Sequence, residues 1–280
     1  MQALSCPKEY SEKNGYLLRI CETCKNAEEA KKCIEEAEPS SNIILIDSIN
    51  PQEVLQCKNN RYSTIILFHT LNDARHMNTL FSNVNCCLEY GGEIICHCTT
   101  TVSRRNRIMK QYPIGINFIM FFFDYCWCRI IPKISILKGF YYKITGSKNR
   151  ALHRVEVLGK LYRAGFKVLH EENSHDALYV IASKCKESIK TEKTNTGLLI
   201  CLKRIGKNGK EINVYKFRTM YAYSEYLQSY VYDSSTLVKG DKISNDYRVT
   251  VWGKFMRKYW IDELPQLINL IKGDIKLVVS

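Results

Sequence analysis

Apolar residues in the first two thirds of the chain form short β-branched runs separated by helical patterns, which predicts an α/β sheet domain. The runs at 43–46 and 64–68 are apolar on both faces, as expected of buried parallel strands. A helical pattern then leads to Cys87, and Gly91-Gly92 is expected to end this helix and turn the chain into a strand over 93–96. Strand, helix and strand in this order predict a βαβ unit.

The same pattern returns after residue 150, with a helix predicted over 155–162 and strands over 166–169 and 178–182. The order of elements resembles the second half of a class I methyltransferase domain over 42–98 and 151–184. Such enzymes hold S-adenosylmethionine on a glycine-rich turn after the first strand, and residues 1–41 contain no such turn. We therefore predict that residues 1–184 form a partial, degenerate Rossmann-like scaffold, and SAM-dependent methyl transfer is the weaker alternative.

A basic apolar insertion, residues 101–150, interrupts the sheet pattern. It contains ten Lys and Arg residues and one acid, Asp124. The aromatic segment 113–132 between these cations has fewer clean apolar residues than the ~20 that a bilayer-spanning helix needs. Two interpretations are open: contact with a membrane interface from the cytoplasmic side, or a buried helix of a soluble domain.

Composition limits the partners and the compartment. The chain has 280 residues, 45% of them hydrophobic, and a formal charge of +13, which favours anionic partners such as acidic lipid or phosphorylated small molecules. No element that reads nucleic acid is found, and the first ten residues have no apolar run like that of a signal peptide, which predicts a cytoplasmic location. Thirteen cysteines are interpreted as reduced thiols, with an irregularly spaced zinc site as the alternative; its four residues would be Cys6, Cys21, Cys24 and Cys33.

The polar residues 185–196 are the best candidate for a linker. Two strand-like runs follow, separated by Lys207-Asn208-Gly209-Lys210, and Asn-Gly is the strongest short signal for a β-hairpin. We predict a second, small α+β domain over 197–280, with this hairpin and with helices at the membrane interface.

Most of the candidate catalytic residues lie near the end of the chain, where the adjacent acids Asp262 and Glu263 are flanked by basic residues. Pro265 fits the first turn of a helix, whose apolar stripe would be Leu264, Leu267, Ile268 and Ile271. The two carboxylates would then lie at the start of this helix, either to hold a metal or attack phosphorus, or merely to cap the helix.

Four other charged residues are candidates for contacts with a phosphate-bearing substrate. Lys216 and Arg218 alternate with Phe217 and are expected on one face of a strand, where they can contact a diphosphate or simply face solvent. Asp246 and Arg248 have the same spacing and either bind substrate or form a structural ion pair.

Several separated motifs in this region resemble, in order, those of the bacterial sugar transferase family, the monotopic phosphoglycosyl transferases. The likeness covers about residues 197–278, and its motifs are 197–209, 216–220, 246–250, 252–255, Arg257, 262–267 and 270–274. It implies transfer of a sugar 1-phosphate from a nucleotide diphosphate sugar to a polyprenyl phosphate at the cytoplasmic face of the membrane, with Mg²⁺, at the start of exopolysaccharide, capsule or O-antigen synthesis. By the same resemblance, Asp262 is the nucleophile, Glu263 holds the metal, and Arg257 supports the pair.

The chain departs from the family pattern in two places. A sheet strand precedes the hairpin where the family has a membrane helix, so we expect segment 113–132 to supply the membrane contact instead. The family also continues past Val278 with a Gly-Pro-Arg-Pro-like string, so we expect the chain to be a truncated member. The alternative from another class is a non-catalytic scaffold that binds a nucleotide sugar or a partner. The sequence selects no particular sugar, nucleotide or oligomeric state.

Overall fold

A computed structural model of the chain describes residues 12–24, 26–37, 42–56, 62–146, 148–174, 176–188, 196–206, 209–234, 237–238, 242–243 and 246–276. Cys6, most of the predicted linker (189–195) and the turn residues Lys207 and Asn208 lie outside these ranges. The chain divides into two compact units, residues 1–191 and residues 192–280, each of which is described by itself.

The first unit is a mixed sheet with helices, as the sequence predicted. Its helices are α1 (Glu12–Thr23), α2 (Ala27–Ala37), α3 (Pro51–Leu55), α4 (Met77–Cys87), α5 (Thr101–Gln111), α6 (Ile116–Tyr125), α7 (Ser135–Thr145) and α8 (Arg154–Arg163). Its strands are β1 (Ile43–Ile46), β2 (Tyr62–Leu67), β3 (Leu88–Cys98), β4 (Phe166–Ser174) and β5 (Ala177–Lys184), in the order β1-β2-β3-β5-β4. Strands β1 to β3 are parallel, and β5 pairs antiparallel with both β3 and β4.

Helices cover this sheet on both faces, because successive side chains of a strand point to opposite sides. Ile66 and Ile95 pack on one face against buried residues of α1 and α2. Their neighbours Ile65 and Ile94 face the other way and are equally buried. Helices α4 and α8 contact β3 and β4 respectively. The predicted βαβ unit is confirmed as β2, α4 and β3.

The prediction that Gly91-Gly92 ends a helix was wrong. Helix α4 ends at Cys87, and β3 begins at once at Leu88, so both glycines lie inside the strand. The pairing with β2 shifts there, from Tyr62 opposite Leu88 to Thr64 opposite Glu93, because Gly91 has a φ of +76° and bulges the strand. A side chain on Gly92 would lie 2.9 Å from the Glu89 carbonyl oxygen.

The insertion 101–150 forms a helical excursion whose two ends meet at the sheet. Thr100 and Leu152 form a parallel bridge, and the Thr101 amide donates to the Leu152 carbonyl at 2.8 Å. Between them lie α5, α6 and α7, and a single π-helical turn at Cys126–Ile130 followed by a 3₁₀ turn at Ile131–Lys133 connects α6 to α7. In the parts of the chain that the structure describes, no helix is long and apolar enough to cross a bilayer.

The second unit contains the predicted β-hairpin, β6 (Leu199–Ile205) paired antiparallel with β7 (Glu211–Phe217). Its other elements are α9 (Gln228–Ser234), β8 (Leu237–Val238), β9 (Lys242–Ile243), α10 (Val251–Lys258), a 3₁₀ turn at Ile261–Gln266 and α11 (Leu267–Ile271). The single helix expected around Pro265 is therefore a 3₁₀ turn continued by a short α-helix.

Candidate active site

A cavity of about 410 Å³ in the second unit is lined by residues of the hairpin, the end of α10 and the 3₁₀ turn. Its charged residues are Asp262, Glu263, Lys216 and Arg257, and Ile200, Leu202, Phe217, Thr219 and Trp260 complete the lining. Four of the seven residues that the sequence singled out therefore share one cavity.

The hairpin contributes one wall because its residues alternate between two faces. Ile200 and Leu202 of β6 lie directly opposite Lys216 and Val214 of β7. Lys216 consequently extends over an apolar strip, and its Nζ donates to Oε1 of Glu263 at 2.5 Å. This ion pair is partly exposed, so solvent screens it, and its importance is to fix where the Glu263 carboxylate lies.

The two adjacent carboxylates have different surroundings. Glu263 is engaged by Lys216, whereas none of the residues that the structure describes donates a hydrogen bond to Asp262 or pairs with its charge. Neither side chain caps the 3₁₀ turn with a hydrogen bond to its described backbone amides, which is the role that the alternative interpretation gave the pair. The geometry thus separates one carboxylate that is held by a cation from one that has no partner among the described residues.

Close packing at a glycine places Arg257. Thr250 caps α10 by accepting a hydrogen bond from the Gly253 amide at 2.8 Å, and its own amide donates to the Thr219 carbonyl at 2.9 Å. A side chain at Gly253 would lie 2.0 Å from that carbonyl oxygen, so only glycine permits this approach. Arg257 is one turn further along the same face, and its Nε donates to Thr219 Oγ1 at 2.9 Å.

The turn that carries the carboxylates begins with an unusual backbone conformation. Trp260 has a φ of +57° and a ψ of +17°, the left-handed region that bulky residues rarely adopt. This residue stands between α10 and the 3₁₀ turn, and Arg257 before it and Asp262 after it line the same cavity.

Asn269 attaches the carboxylate segment to the hairpin. It is fully buried, and its Oδ1 accepts from the Tyr215 amide at 3.1 Å while its Nδ2 donates to the Asn213 carbonyl and, at 3.0 Å, to Asp274. Two of its three partners, Asn213 and Tyr215, lie on β7, the strand that also carries Lys216. Asn269 is not among the residues that line the cavity, and its hydrogen bonds join α11, which follows the carboxylate turn, to β7.

The other predicted substrate contacts, Arg218, Asp246 and Arg248, are not among the residues that line this cavity. Arg218 follows β7, donates from Nε to the Gly197 carbonyl at 2.9 Å, and has its pKa lowered by burial. Asp246 and Arg248 form an ion pair in which Nη2 and Oδ2 are 2.8 Å apart. Burial opposes the ionisation of Asp246, but the hydrogen bonds and charge of Arg248, together with a smaller effect of the Arg257 charge, outweigh it and lower the pKa of Asp246 below the ordinary 3.8. This geometry favours the structural ion pair, which was one of the two interpretations of Asp246 and Arg248.

Sequence reasoning missed three contributors to the site: Thr219, Trp260 and Asn269. Thr219 and Trp260 fall inside or beside the motifs at 216–220 and 262–267, so proximity was the available signal. Asn269 gave a clearer one, since it is a polar residue in the apolar run Leu267–Ile271. A polar residue in such a run suggests a buried hydrogen-bonding role.

Comparison with known proteins agrees with the motifs. Residues 178–279 match the model of the family described as bacterial sugar transferase. The segment is 39% identical over 80 residues to an undecaprenyl-phosphate galactose phosphotransferase from Salmonella typhimurium, covering 27% of this chain and 17% of that protein. It is 43% identical over 75 residues to the uncharacterized sugar transferase EpsL of Bacillus subtilis, covering 27% of this chain and 31% of that protein.

Residues 178–279 of the chain thus resemble the bacterial sugar transferase family. The chain spans about a third or less of the length of these two relatives. Among solved structures, an O-methyltransferase family protein from Burkholderia thailandensis matches 56% of this chain and 40% of its own, at 11% identity and a TM-score of 0.31. A score this low does not define the fold of the first unit.

Proposed function

We propose that the protein transfers a sugar 1-phosphate from a nucleotide diphosphate sugar to a polyprenyl phosphate, at the cytoplasmic face of the membrane, as the first lipid-linked step of exopolysaccharide, capsule or O-antigen synthesis. The observation that carries the proposal is the pair of unequal carboxylates in a cavity with two cations: Glu263 is held by Lys216, and Asp262 has no partner among the described residues. The names of the relatives, which include undecaprenyl-phosphate galactose and glucose phosphotransferases, support the choice of acceptor and donor.

Each residue has a role in this reaction. An oxygen of Asp262 attacks the phosphorus that bears the sugar, the bond from this phosphorus to the bridging oxygen breaks, and the nucleoside monophosphate leaves with that electron pair. A phosphate oxygen of the polyprenyl phosphate then attacks the same phosphorus and releases Asp262. Lys216 and Arg257 offset the charge that develops on the phosphoryl oxygens, and the apolar strip of β6 reduces the access of water.

We further propose that the reaction uses Mg²⁺. Among the residues that the structure describes, no group of three or more His, Cys, Asp or Glu side chains is arranged to hold a metal ion. This fits magnesium, which proteins commonly bind through one or two carboxylates together with substrate phosphates. Glu263 is the residue that would hold it, and the ion would supply charge neutralisation at the diphosphate.

Isotope exchange tests the covalent step without the acceptor. Incubation of the full chain with a panel of nucleotide diphosphate sugars and the matching labelled nucleoside monophosphates should return label to the sugar nucleotide, because the first half-reaction is reversible. Asp262→Asn should abolish the exchange, whereas Glu211→Gln, an exposed carboxylate on β7 outside the cavity, should leave it unchanged. Exchange that survives in Asp262→Asn would exclude the aspartyl intermediate.

Full turnover is then measured with polyprenyl phosphate in detergent, as release of nucleoside monophosphate. Removal of divalent metal by a chelator should stop the release, and added Mg²⁺ should restore it. No exchange and no release with any donor of the panel would contradict the enzyme and favour the non-catalytic scaffold.

A further inference from the structure

Helix α6 of the first unit has its polar residues inside and its apolar residues outside. Asn117 is only 6% exposed, whereas Phe122 and Phe123 are 62% and 63% exposed. A helix on the surface of a water-soluble domain has the opposite arrangement, with its apolar stripe towards the core. The environment that suits the outer face of α6 is therefore not water.

Polar contacts beneath α6 show that this orientation is fixed. Arg104 of α5 is 4% exposed and holds Asp124 with two hydrogen bonds, from Nη2 at 2.5 Å and from Nε at 3.1 Å. The same guanidinium donates from Nη1 to Oδ1 of Asn149 at 2.5 Å. Rotation of α6 to bury its phenylalanines would break this pair and leave a buried charge without a partner, which is costly.

The apolar surface continues beyond α6. The exposed Trp127 of the π-helical turn packs on the buried Tyr141 of α7, with ring centroids 5.7 Å apart, so the turn and the helix are held together. Exposed apolar side chains recur from just before α6 to the end of α7: Ile114, Ile116, Phe118, Ile119, Met120, Phe122, Phe123, Trp127, Ile130, Ile134, Leu137, Phe140 and Ile144. We call these residues the apolar patch. Thirteen exposed large apolar side chains within 31 consecutive residues are unusual for a soluble monomer and indicate a contact surface.

The exposed charged residues considered with the apolar patch are all positive. The exposed basic residues of α5 and of the C-terminal end of the insertion are Arg105, Arg107, Lys110, Lys143 and Lys148. None of them forms an ion pair with a residue that the structure describes. The one acid of the insertion, Asp124, is held by Arg104. The surface of the insertion therefore combines aromatic side chains with uncompensated positive charge.

We propose that the apolar patch and these five cations form an in-plane docking surface for an anionic lipid bilayer. The ten residues of α6 span about 15 Å, half of the ~30 Å hydrocarbon core, so the helix is suited to lie in the interface and not to cross it. Its phenylalanines would enter the boundary between headgroups and acyl chains, and the cations would meet lipid phosphates. The charge selects a lipid surface over a second copy of this basic chain, since like charges around the patch would repel.

Sedimentation with sucrose-loaded vesicles tests the proposal on the full chain, with no polyprenyl phosphate or sugar nucleotide present. Binding should be strong to vesicles that contain phosphatidylglycerol and weaker to phosphatidylcholine alone. Phe122→Ser combined with Phe123→Ser should weaken binding to both by at least about tenfold, because two large apolar side chains no longer leave water. Lys143→Gln combined with Lys148→Gln should weaken only the binding to anionic vesicles, by about tenfold at low salt.

Leu55→Ser is the matched control, because this residue is also an exposed apolar side chain of the first unit but lies on α3, outside the patch. It should bind like the unaltered chain, and circular dichroism should show that every variant is folded. Equal vesicle binding by the double phenylalanine variant would overturn the proposal. So would a dimer in analytical ultracentrifugation that the same variant dissociates, combined with no vesicle binding, since the patch would then be a contact between copies. Failure here leaves the transfer reaction in detergent unaffected, so the two proposals are tested separately.

Discussion

Replacing Asp246 with alanine should destabilise the second unit rather than weaken substrate binding. Arg248 is 5% exposed and reaches Asp246 through Nε to Oδ1 at 3.0 Å, Nε to Oδ2 at 3.1 Å and Nη2 to Oδ2 at 2.8 Å. Its backbone amide also donates to Oδ1 at 2.9 Å. Alanine removes all four contacts and leaves the guanidinium buried.

The expected cost follows from these contacts. Breaking a buried ion pair by removing one partner costs about 3–5 kcal/mol, and Arg248 keeps one hydrogen bond, to Oε1 of Gln228 at 2.5 Å. We therefore expect a loss of about 3 kcal/mol at pH 7 for Asp246→Ala. Asp246→Asn keeps an acceptor but no charge, and it should cost about half as much.

Tryptophan fluorescence during urea unfolding measures this loss. The chain has three tryptophans, and Trp127→Phe leaves only Trp252 and Trp260, both in the second unit. In that background, with a slope of about 1–2 kcal/mol per M, Asp246→Ala should lower the midpoint by about 2 M. Asp262→Asn is the control, and it should change the free energy of unfolding by less than about 0.5 kcal/mol, because Asp262 has no described partner to lose.

The pH dependence has a definite sign. The pKa of Asp246 is lower in the folded unit than its ordinary value of 3.8. The stabilisation that the Asp246 charge contributes is therefore fully present above pH 3.8 and is lost as the pH falls through the folded pKa. The difference in stability between the unaltered chain and Asp246→Asn should be constant from about pH 8 to pH 5 and narrow below about pH 4. An unchanged urea midpoint in Asp246→Ala, with a raised KM for the sugar nucleotide, would refute this reasoning and assign the pair to the substrate.

Two further substitutions test how the site is assembled, each by urea unfolding and by isotope exchange. Gly253→Ala should lower the free energy of unfolding by at least about 2 kcal/mol and reduce exchange, because the alanine side chain would lie 2.0 Å from the Thr219 carbonyl oxygen. Gly139→Ala, at a helical glycine with open space around it, should cost no stability. Equal behaviour of the two variants would contradict the packing argument. Asn269→Ala should cost about 2 kcal/mol, because it removes a fully buried side chain that bonds two partly buried backbone groups of β7. The exposed Ile271→Ala should be neutral, and an equally neutral Asn269→Ala would show that the hydrogen bonds to β7 do not hold the two segments together.

Local sequence was sufficient for most of the elements. The β-branched runs at 43–46 and 64–68 form strands because they suit a sheet buried on both faces, and the hairpin forms where Asn-Gly separates two such runs. The prediction from local sequence failed at Gly91-Gly92, because a glycine pair is equally suited to a turn or to a β-bulge. The pairing partner decides between them, and that partner, Tyr62, lies far away in the chain.

The chemistry of the site divides in the same way. The sequence alone determined which residue types are present: a carboxylate pair at 262 and 263, cations at 216 and 257, and a basic aromatic insertion at 101–150. Only the tertiary structure decided that Lys216 pairs with Glu263 and not with Asp262, that Asp246 and Arg248 bind each other, and that the phenylalanines of α6 face outward. The physical reason is that a charge or an apolar ring is defined by its own residue, but its partner is set by packing between segments distant in sequence, such as the contact of Gly253 with Thr219 and that of Arg104 with Asp124.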